Sequence, residues 1–138
     1  VFIKHNARAL IFSASPSPSN AASALAAIDI IEKEPWRIER LWANTKKMKD
    51  GLDALGYDTM GSKTPIIPIR VGDDTETFSF AKEVFDRGVF VNPVVPPGAP
   101  IGLLRTSYMA SHTGEDLDFA LGVFAELAKK HASVVVRH

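Results

Sequence analysis

The first strongly patterned stretch, residues 20–33, has small and apolar residues on nearly all sides of a helix. Helices of this kind are normally buried, so we expect an unusually apolar exposed surface wherever the packing partner of this helix is missing. Ser17 is a suitable N-cap, Pro18 suits the first helical position, and Pro35 ends the helix.

A second helix follows at once. Apolar residues recur at steps of three and four from Ile38 to Leu55, and Gly56 can end the helix. The next patterned segment, residues 66–71, is typical of a strand. Pro68 lies within it and cannot donate a ladder hydrogen bond, so the pattern predicts an edge strand or a bulge.

A third helix, with Asp74 or Thr75 as its capping residue, is predicted to run to Arg87. Its expected inward residues are Phe78, Ala81, Val84 and Phe85. Residues 89–91 predict a short strand, and the prolines within residues 92–102 predict a stiff loop after it.

The last patterned segments are a strand and a helix. Residues 103–109 predict a strand with Leu104 and Thr106 on one face and Arg105 on the other. Thr113 and Asp116 approximate a capping box that begins an amphipathic helix. The order of elements predicts an α+β fold, in which a small sheet has helices packed on one face.

Composition narrows the functional classes. The formal net charge is zero, which argues against non-specific nucleic-acid binding. No apolar run is long enough for a transmembrane segment, the chain has no cysteine, and its four histidines are too scattered to suggest a metal site. Because the first residue is Val1, we expect a chain cut from a longer one, with a processed N-terminus as the alternative.

Four polar residues are candidates for chemistry. Arg105 lies in mid-strand, where it either faces solvent or grips an anion with its planar guanidinium. Ser13 and Ser15 follow an apolar run and precede a helix, so they are either turn and capping residues or a phosphate site. His112 is better interpreted as a structural histidine bonded to backbone than as a general base.

Five sequence motifs occur in an order that is typical of one known family. They are residues 8–15, the pairs Leu41-Trp42 and Asn44-Thr45, and residues 64–68, 88–97 and 104–113. Through these motifs the sequence resembles the α-oxoamine synthases from about Lys4 to Lys130. Members of this family condense an amino acid with an acyl-CoA thioester and release CO₂, with pyridoxal 5'-phosphate (PLP) as the electron sink.

The resemblance implies a domain organisation. The fold would be the C-terminal small domain of a fold-type I PLP-dependent transferase, with a small antiparallel sheet. Residues 1–16 would leave a missing large PLP domain, residues 17–35 would form a linking helix, and residues 36–138 would form the small domain. The complete enzyme would be a cytoplasmic homodimer.

The resemblance also assigns two residues. Arg105 matches the arginine that binds the substrate carboxylate, and Ser13 matches the hydroxyl that reaches the PLP phosphate of the neighbouring subunit. The Schiff-base lysine of the family lies outside this chain, so we expect no catalytic residue in it, no bound PLP and no activity of the chain alone. The alternatives are the C-terminal domain of a class I/II aminotransferase and a stand-alone α+β binding module.

Overall fold

The computed structural model describes residues 1–11, 13, 16–131 and 134–135. The chain divides into two compact units, Val1–Pro35 and Trp36–His138. The boundary follows Pro35, where the pattern predicts the end of the linking helix. The further division at residue 16 stays a prediction.

The first unit consists of helices α1 (Phe2–Asn6), α2 (Arg8–Ile11) and α3 (Pro18–Lys33). The predicted start of α3 is confirmed: Oγ of Ser17 accepts a hydrogen bond from the backbone N–H of Asn20 at 3.2 Å. No residue of α3 is buried, and its exposed side chains include Leu25, Ile28 and Ile31. The apolar surface expected from the sequence is therefore present.

The second unit is an α+β fold. Its helices are α4 (Trp36–Ala54), α5 (Asp74–Asp86) and α6 (Gly114–Lys130), and its strands are β1 (Ile66–Gly72), β2 (Asn92–Val94) and β3 (Gly102–Ser107). The strands form an antiparallel sheet in the order β1-β3-β2. Pro68 lies in β1, which is an edge strand, as predicted.

One face of the sheet contributes to the core. Ile67 and Ile69 of β1 and Leu104 of β3 are buried, and they belong to the same core cluster as side chains of the three helices. The main helix residues of this cluster are Met48, Leu52, Phe80, Val84, Phe124 and Leu127. Gly51 brings α4 close to α6, because a Cβ there would lie 2.6 Å from Cδ2 of Leu121. The predicted α+β class, with helices on one sheet face, is confirmed.

Two strand predictions need correction. The strand expected at residues 89–91 begins at Asn92 instead, and Val91 is buried just before it. Pro93 is tolerated there because β2 is an edge strand that pairs on one side only. Strand β3 ends at Ser107 rather than at residue 109, since the N–H of Tyr108 already bonds the carbonyl of Pro65, outside the strands.

The inward face of α5 also differs from the prediction. Phe78 and Phe85 are exposed, whereas Thr77 and Phe80 are buried together with Ala81 and Val84. The residues predicted to face inward and the residues that are buried both recur at steps of three and four. The hydrophobic pattern of α5 therefore does not distinguish the two helix faces. The helix starts one residue earlier than expected, with Asp73 as its N-cap.

The start of α6 is as predicted. Thr113 and Asp116 form the capping box, and these hydrogen bonds lower the pKa of the Asp116 carboxyl. No helix in the described part of the chain combines the length and apolar content that crossing a bilayer requires.

An ion cluster joins the ends of α5 and α6. Glu83 accepts hydrogen bonds from Nζ of Lys130 at 2.7 Å and from the His131 ring at 3.0 Å. Its pKa lies below the ordinary value, first because of the Lys130 bond and further because of the His131 charge. A carboxyl whose pKa is lowered by folding stabilises the fold above its unfolded pKa, and this stabilisation is lost as pH falls through the folded pKa.

We therefore expect Glu83→Gln to lower the free energy of unfolding at pH 7 and to reduce its decline between about pH 5 and pH 3. Urea unfolding across this pH range is the measurement. Glu126→Gln is the matched control, since Glu126 is exposed and pairs only with Arg87 among the described residues, at 3.3 Å. Equal pH profiles for Glu83→Gln and the unmodified chain would contradict the expectation.

Candidate functional site

The face of the sheet opposite the core carries Arg105 at its centre. β3 is the middle strand, and Arg105 is paired with Pro68 of β1 and Asn92 of β2. Leu104 and Thr106 are buried, while Arg105 is exposed. The predicted alternation on this strand is confirmed, and Arg105 points away from the core.

The core side of β3 is fixed by a chain of hydroxyl groups. Oη of Tyr108 donates to Oγ1 of Thr106 at 2.8 Å, and this hydroxyl donates to the carbonyl of Ile67 at 2.8 Å. Burial raises the pKa of Tyr108 to about 12, so its phenol stays protonated at neutral pH. These bonds, with ladder pairing on both sides, hold the backbone that carries Arg105.

Arg105 makes no hydrogen bond or ion pair with any residue that the structure describes. The described strand residues on its side of the sheet include no carboxylate, and by register they are Ile66, Pro68, Arg70, Asn92, Val94, Leu103 and Ser107. The other arginine on this face, Arg70, is occupied, because its Nε donates to Oδ2 of Asp58 at 2.8 Å. An arginine without an acidic partner, on a rigid strand, can bind a carboxylate through two parallel hydrogen bonds.

Ser13 lies in the first unit, two residues after the end of α2. Its side chain is exposed, and its Oγ donates to the carbonyl of Leu10 at 2.8 Å. Ser15 lies outside the described residues. Ser13 and Arg105 belong to different units, so their assignment to one site rests on the family resemblance.

His112 has the structural environment expected from the sequence. Its Nδ1 accepts the backbone N–H of Met109 at 3.3 Å, and its carbonyl accepts from Nδ2 of Asn44 at 3.0 Å. The same amide of Asn44 also donates to the carbonyl of Met109 at 3.0 Å. His112 and Asn44 together fix the turn between β3 and α6.

A cavity of about 530 Å³ opens beyond the last pair of the β2–β3 ladder, and the hydrophobic pattern did not predict it. It lies where residues 88–91 and 106–109 separate, and it extends to α4 and α6. Its lining is mostly apolar and includes Met48, Phe90, Tyr108, Met109, Phe119 and Phe124.

Sequence reasoning also missed Asn92 as part of the Arg105 surroundings. The pattern placed Asn92 in a loop, whereas it is the first residue of β2 and the direct ladder partner of Arg105. The only local signal was its position after the apolar residues 89–91, and this signal does not reveal a partner thirteen residues away.

Comparison with solved structures defines the class of fold. A high-resolution structure of serine palmitoyltransferase with PLP matches 96% of this chain with a TM-score of 0.82 and 30% identity. The structure of Sphingomonas wittichii serine palmitoyltransferase matches 96% with a TM-score of 0.81 and 28% identity. The fold is the small domain of a fold-type I PLP-dependent transferase, as predicted.

The chain belongs to the aminotransferase class I and II family, whose model matches residues 2–124. Serine palmitoyltransferase of Bacteriovorax stolpii is 45% identical over 130 residues, which are 93% of this chain and 31% of that protein. The 8-amino-7-oxononanoate synthase of Symbiobacterium thermophilum is 43% identical over 128 residues, 91% of this chain and 33% of that protein. The resemblance to α-oxoamine synthases is thereby confirmed, and the chain spans about a third of the length of these relatives.

Proposed function

We propose that this chain is part of a PLP-dependent α-oxoamine synthase, an acyltransferase that condenses an amino acid with an acyl-CoA and releases CO₂. Within it, Arg105 binds the carboxylate of the amino acid. The observation that carries the proposal is the position of Arg105, exposed on the central strand and without an acidic partner among the described residues. The two classes of relatives, both synthases or transferases of this kind, support the reaction type.

Arg105 acts by positioning. A bidentate guanidinium fixes both the place and the plane of a carboxylate, so the bonds at the amino-acid Cα take a defined direction. The buried neighbours Leu104 and Thr106 hold the strand and prevent Arg105 from turning toward the core. The substrate carboxylate supplies the acidic partner that Arg105 lacks among the described strand residues of this face.

The residues present fit part of a PLP site. PLP, when bound, supplies the electron sink for the carbanion. The exposed hydroxyl of Ser13 can donate to a phosphate oxygen by exchanging its bond to the Leu10 carbonyl. Most lysines lie on helices in ion pairs with carboxylates, namely Lys33, Lys46, Lys47, Lys49, Lys82 and Lys130. We infer that the lysine that holds PLP is not one of them.

The reaction type is tested in the full-length protein that contains this chain. We expect CoA release from an acyl-CoA that depends on an added amino acid such as L-serine or glycine, with matching CO₂ release. An aminotransferase would instead convert the amino acid with a 2-oxo acid as partner and release no CoA. Transamination without CoA release would overturn the synthase proposal in favour of that alternative.

A second expectation concerns the 138-residue chain by itself. Incubated with PLP and then borohydride, it should acquire no stoichiometric cofactor label at a single lysine, and it should not release CoA. Absorbance and peptide mass mapping are the measurements, and the full-length protein is the positive control. A single labelled lysine in the short chain would show that the chain carries the PLP-binding lysine itself.

Three parts of the proposal rest on the family resemblance alone. These are the homodimer, the contact of Ser13 with the PLP of the neighbouring subunit, and the cytoplasmic location, which all stay predictions. A stand-alone binding module remains the alternative of a different class. The CoA-release assay separates it from the synthase, because a binding module would show no turnover.

A further inference from the structure

We infer that Asn92 is a positioning residue that orients the guanidinium of Arg105, an inference that rests on the proposed role of Arg105. Asn92 and Arg105 are direct partners in the antiparallel β2–β3 ladder. Partners of this kind point to the same face of a sheet, with Cβ atoms about 5 Å apart. The amide of Asn92 is therefore within reach of the arginine side chain.

The neighbours of Arg105 on β1 cannot take this role. Its partner on β1 is Pro68, whose ring has neither donor nor acceptor. Its diagonal neighbours on β1 are Ile66, which is apolar, and Arg70, which is bound to Asp58. Asn92 thus supplies the only polar side chain directly opposite Arg105 in the ladder.

The amide of Asn92 has capacity for this bond. It is half-buried, and its side chain makes no hydrogen bond with any residue of the described ranges. Its Oδ1 can accept from one edge of the guanidinium, which carries five N–H donors. The opposite edge then keeps the two parallel donors that a carboxylate requires. This bond is not formed in the structure, so we place it in the substrate-bound state, where it fixes the plane of the guanidinium against the carboxylate.

A neutral amide suits this role better than a carboxylate does. An aspartate at position 92 would form an ion pair with Arg105 and would compete with the substrate carboxylate for its guanidinium. The substitution is nearly isosteric, so a purely structural role of Asn92 would tolerate it. The order of the amino-acid KM values of the alanine and aspartate variants therefore distinguishes an orienting role of Asn92 from a purely structural one.

The test uses the full-length protein and its amino-acid kinetics. We expect Asn92→Ala to raise the amino-acid KM by about tenfold, with little change in kcat, as loss of one hydrogen bond to a charged group predicts. Asn92→Asp should raise it more, while the acyl-CoA KM stays unchanged in both. Val94→Ala is the matched control on the same strand and face, where the partner is Leu103.

A double-mutant cycle identifies the partner. Lysine at position 105 keeps the charge but has no fork to orient, so in the Arg105→Lys background Asn92→Ala should add almost nothing. An undiminished effect there would overturn the inference, because Asn92 would then act without the guanidinium. Wild-type KM values for both Asn92→Ala and Asn92→Asp would also overturn it and leave the proposed function intact.

One further outcome keeps the inference and the proposed function distinguishable. Normal amino-acid kinetics of Arg105→Lys and Arg105→Ala would overturn the proposed role of Arg105, whatever Asn92 does. Thermal unfolding of each variant is the folding control. If Asn92→Ala alone is unstable, Asn92→Ser replaces it. Its rise in amino-acid KM must again be smaller than that of Asn92→Asp.

Discussion

Arg105→Ala in the full-length protein should lower kcat/KM for the amino acid by about 2–4 kcal/mol, roughly 30- to 1000-fold. The physical reason is the loss of a charge-assisted bidentate pair between Arg105 and the carboxylate. Among the described strand residues of this face, the other cation is Arg70, and it is already paired with Asp58. The amino-acid KM should rise most and the acyl-CoA KM should change little, because the lost contact concerns the carboxylate. Steady-state kinetics with each substrate varied in turn is the measurement.

Arg105→Lys refines this expectation. Lysine keeps the positive charge but replaces the planar fork by a single ammonium, so amino-acid use should still be weakened, to a smaller extent than with alanine. Equal kinetics of the lysine variant and the unmodified protein would show that charge alone suffices.

Arg70→Ala is the matched control, since it removes an arginine from the same sheet face. Arg70 pairs with Asp58, so its loss should affect stability rather than the amino-acid KM. Near-normal kcat/KM of Arg105→Ala, with a strong effect of Arg70→Ala, would transfer the carboxylate role from Arg105 to Arg70.

The second large effect is expected in the core. Phe80→Ala should destabilise the chain by about 3–5 kcal/mol, because Phe80 is only 1% exposed and leaves a cavity when truncated. Its ring also packs edge-on against His131, with centroids 5.2 Å apart, and lies 6.3 Å from Tyr57. Urea unfolding of the 138-residue chain is the measurement. Phe80→Leu, with a smaller loss, covers the case in which the alanine variant does not fold.

Phe78→Ala is the control on the same helix. Phe78 is 53% exposed, so its removal should change the free energy of unfolding by only about 0.5 kcal/mol. The pair tests the orientation of α5 directly. A larger loss for Phe78 than for Phe80 would show that the helix buries the face that the sequence pattern favoured.

Local signals predicted the fold best. The Ser17 cap, the capping box from Thr113 to Asp116 and the proline of the edge strand each depend on residues close in sequence. Their chemistry can be recognised without any knowledge of distant partners. The α+β class followed from the order of these elements.

The incorrect or missing predictions concern features that tertiary contacts determine. Phe78 and Phe80 both belong to apolar stripes of helical spacing, and only packing against the sheet and α6 selects Phe80. Asn92 reads as a loop residue between an apolar run and a proline, and its place in β2 depends on pairing with Arg105. The cavity beside Tyr108 depends on the separation of two segments far apart in sequence.

The candidate site was predictable only in part. Mid-strand position and face alternation singled out Arg105, and the structure confirms its exposure. The lack of an acidic neighbour on the sheet face could not be read from the sequence, because it depends on strand order and register. The role of Ser13 stays a prediction from family resemblance.

The prolines at the two sheet edges have a consequence for self-association. Pro68 interrupts the outer edge of β1, and β2 is only three residues long with Pro93 at its middle. A strand from another molecule would need a continuous row of N–H donors on either edge, and prolines break such rows. The sheet is thus protected against strand addition and amyloid-like growth, so aggregates of this chain should form through apolar side chains such as those of α3 and gain no β-structure as they grow.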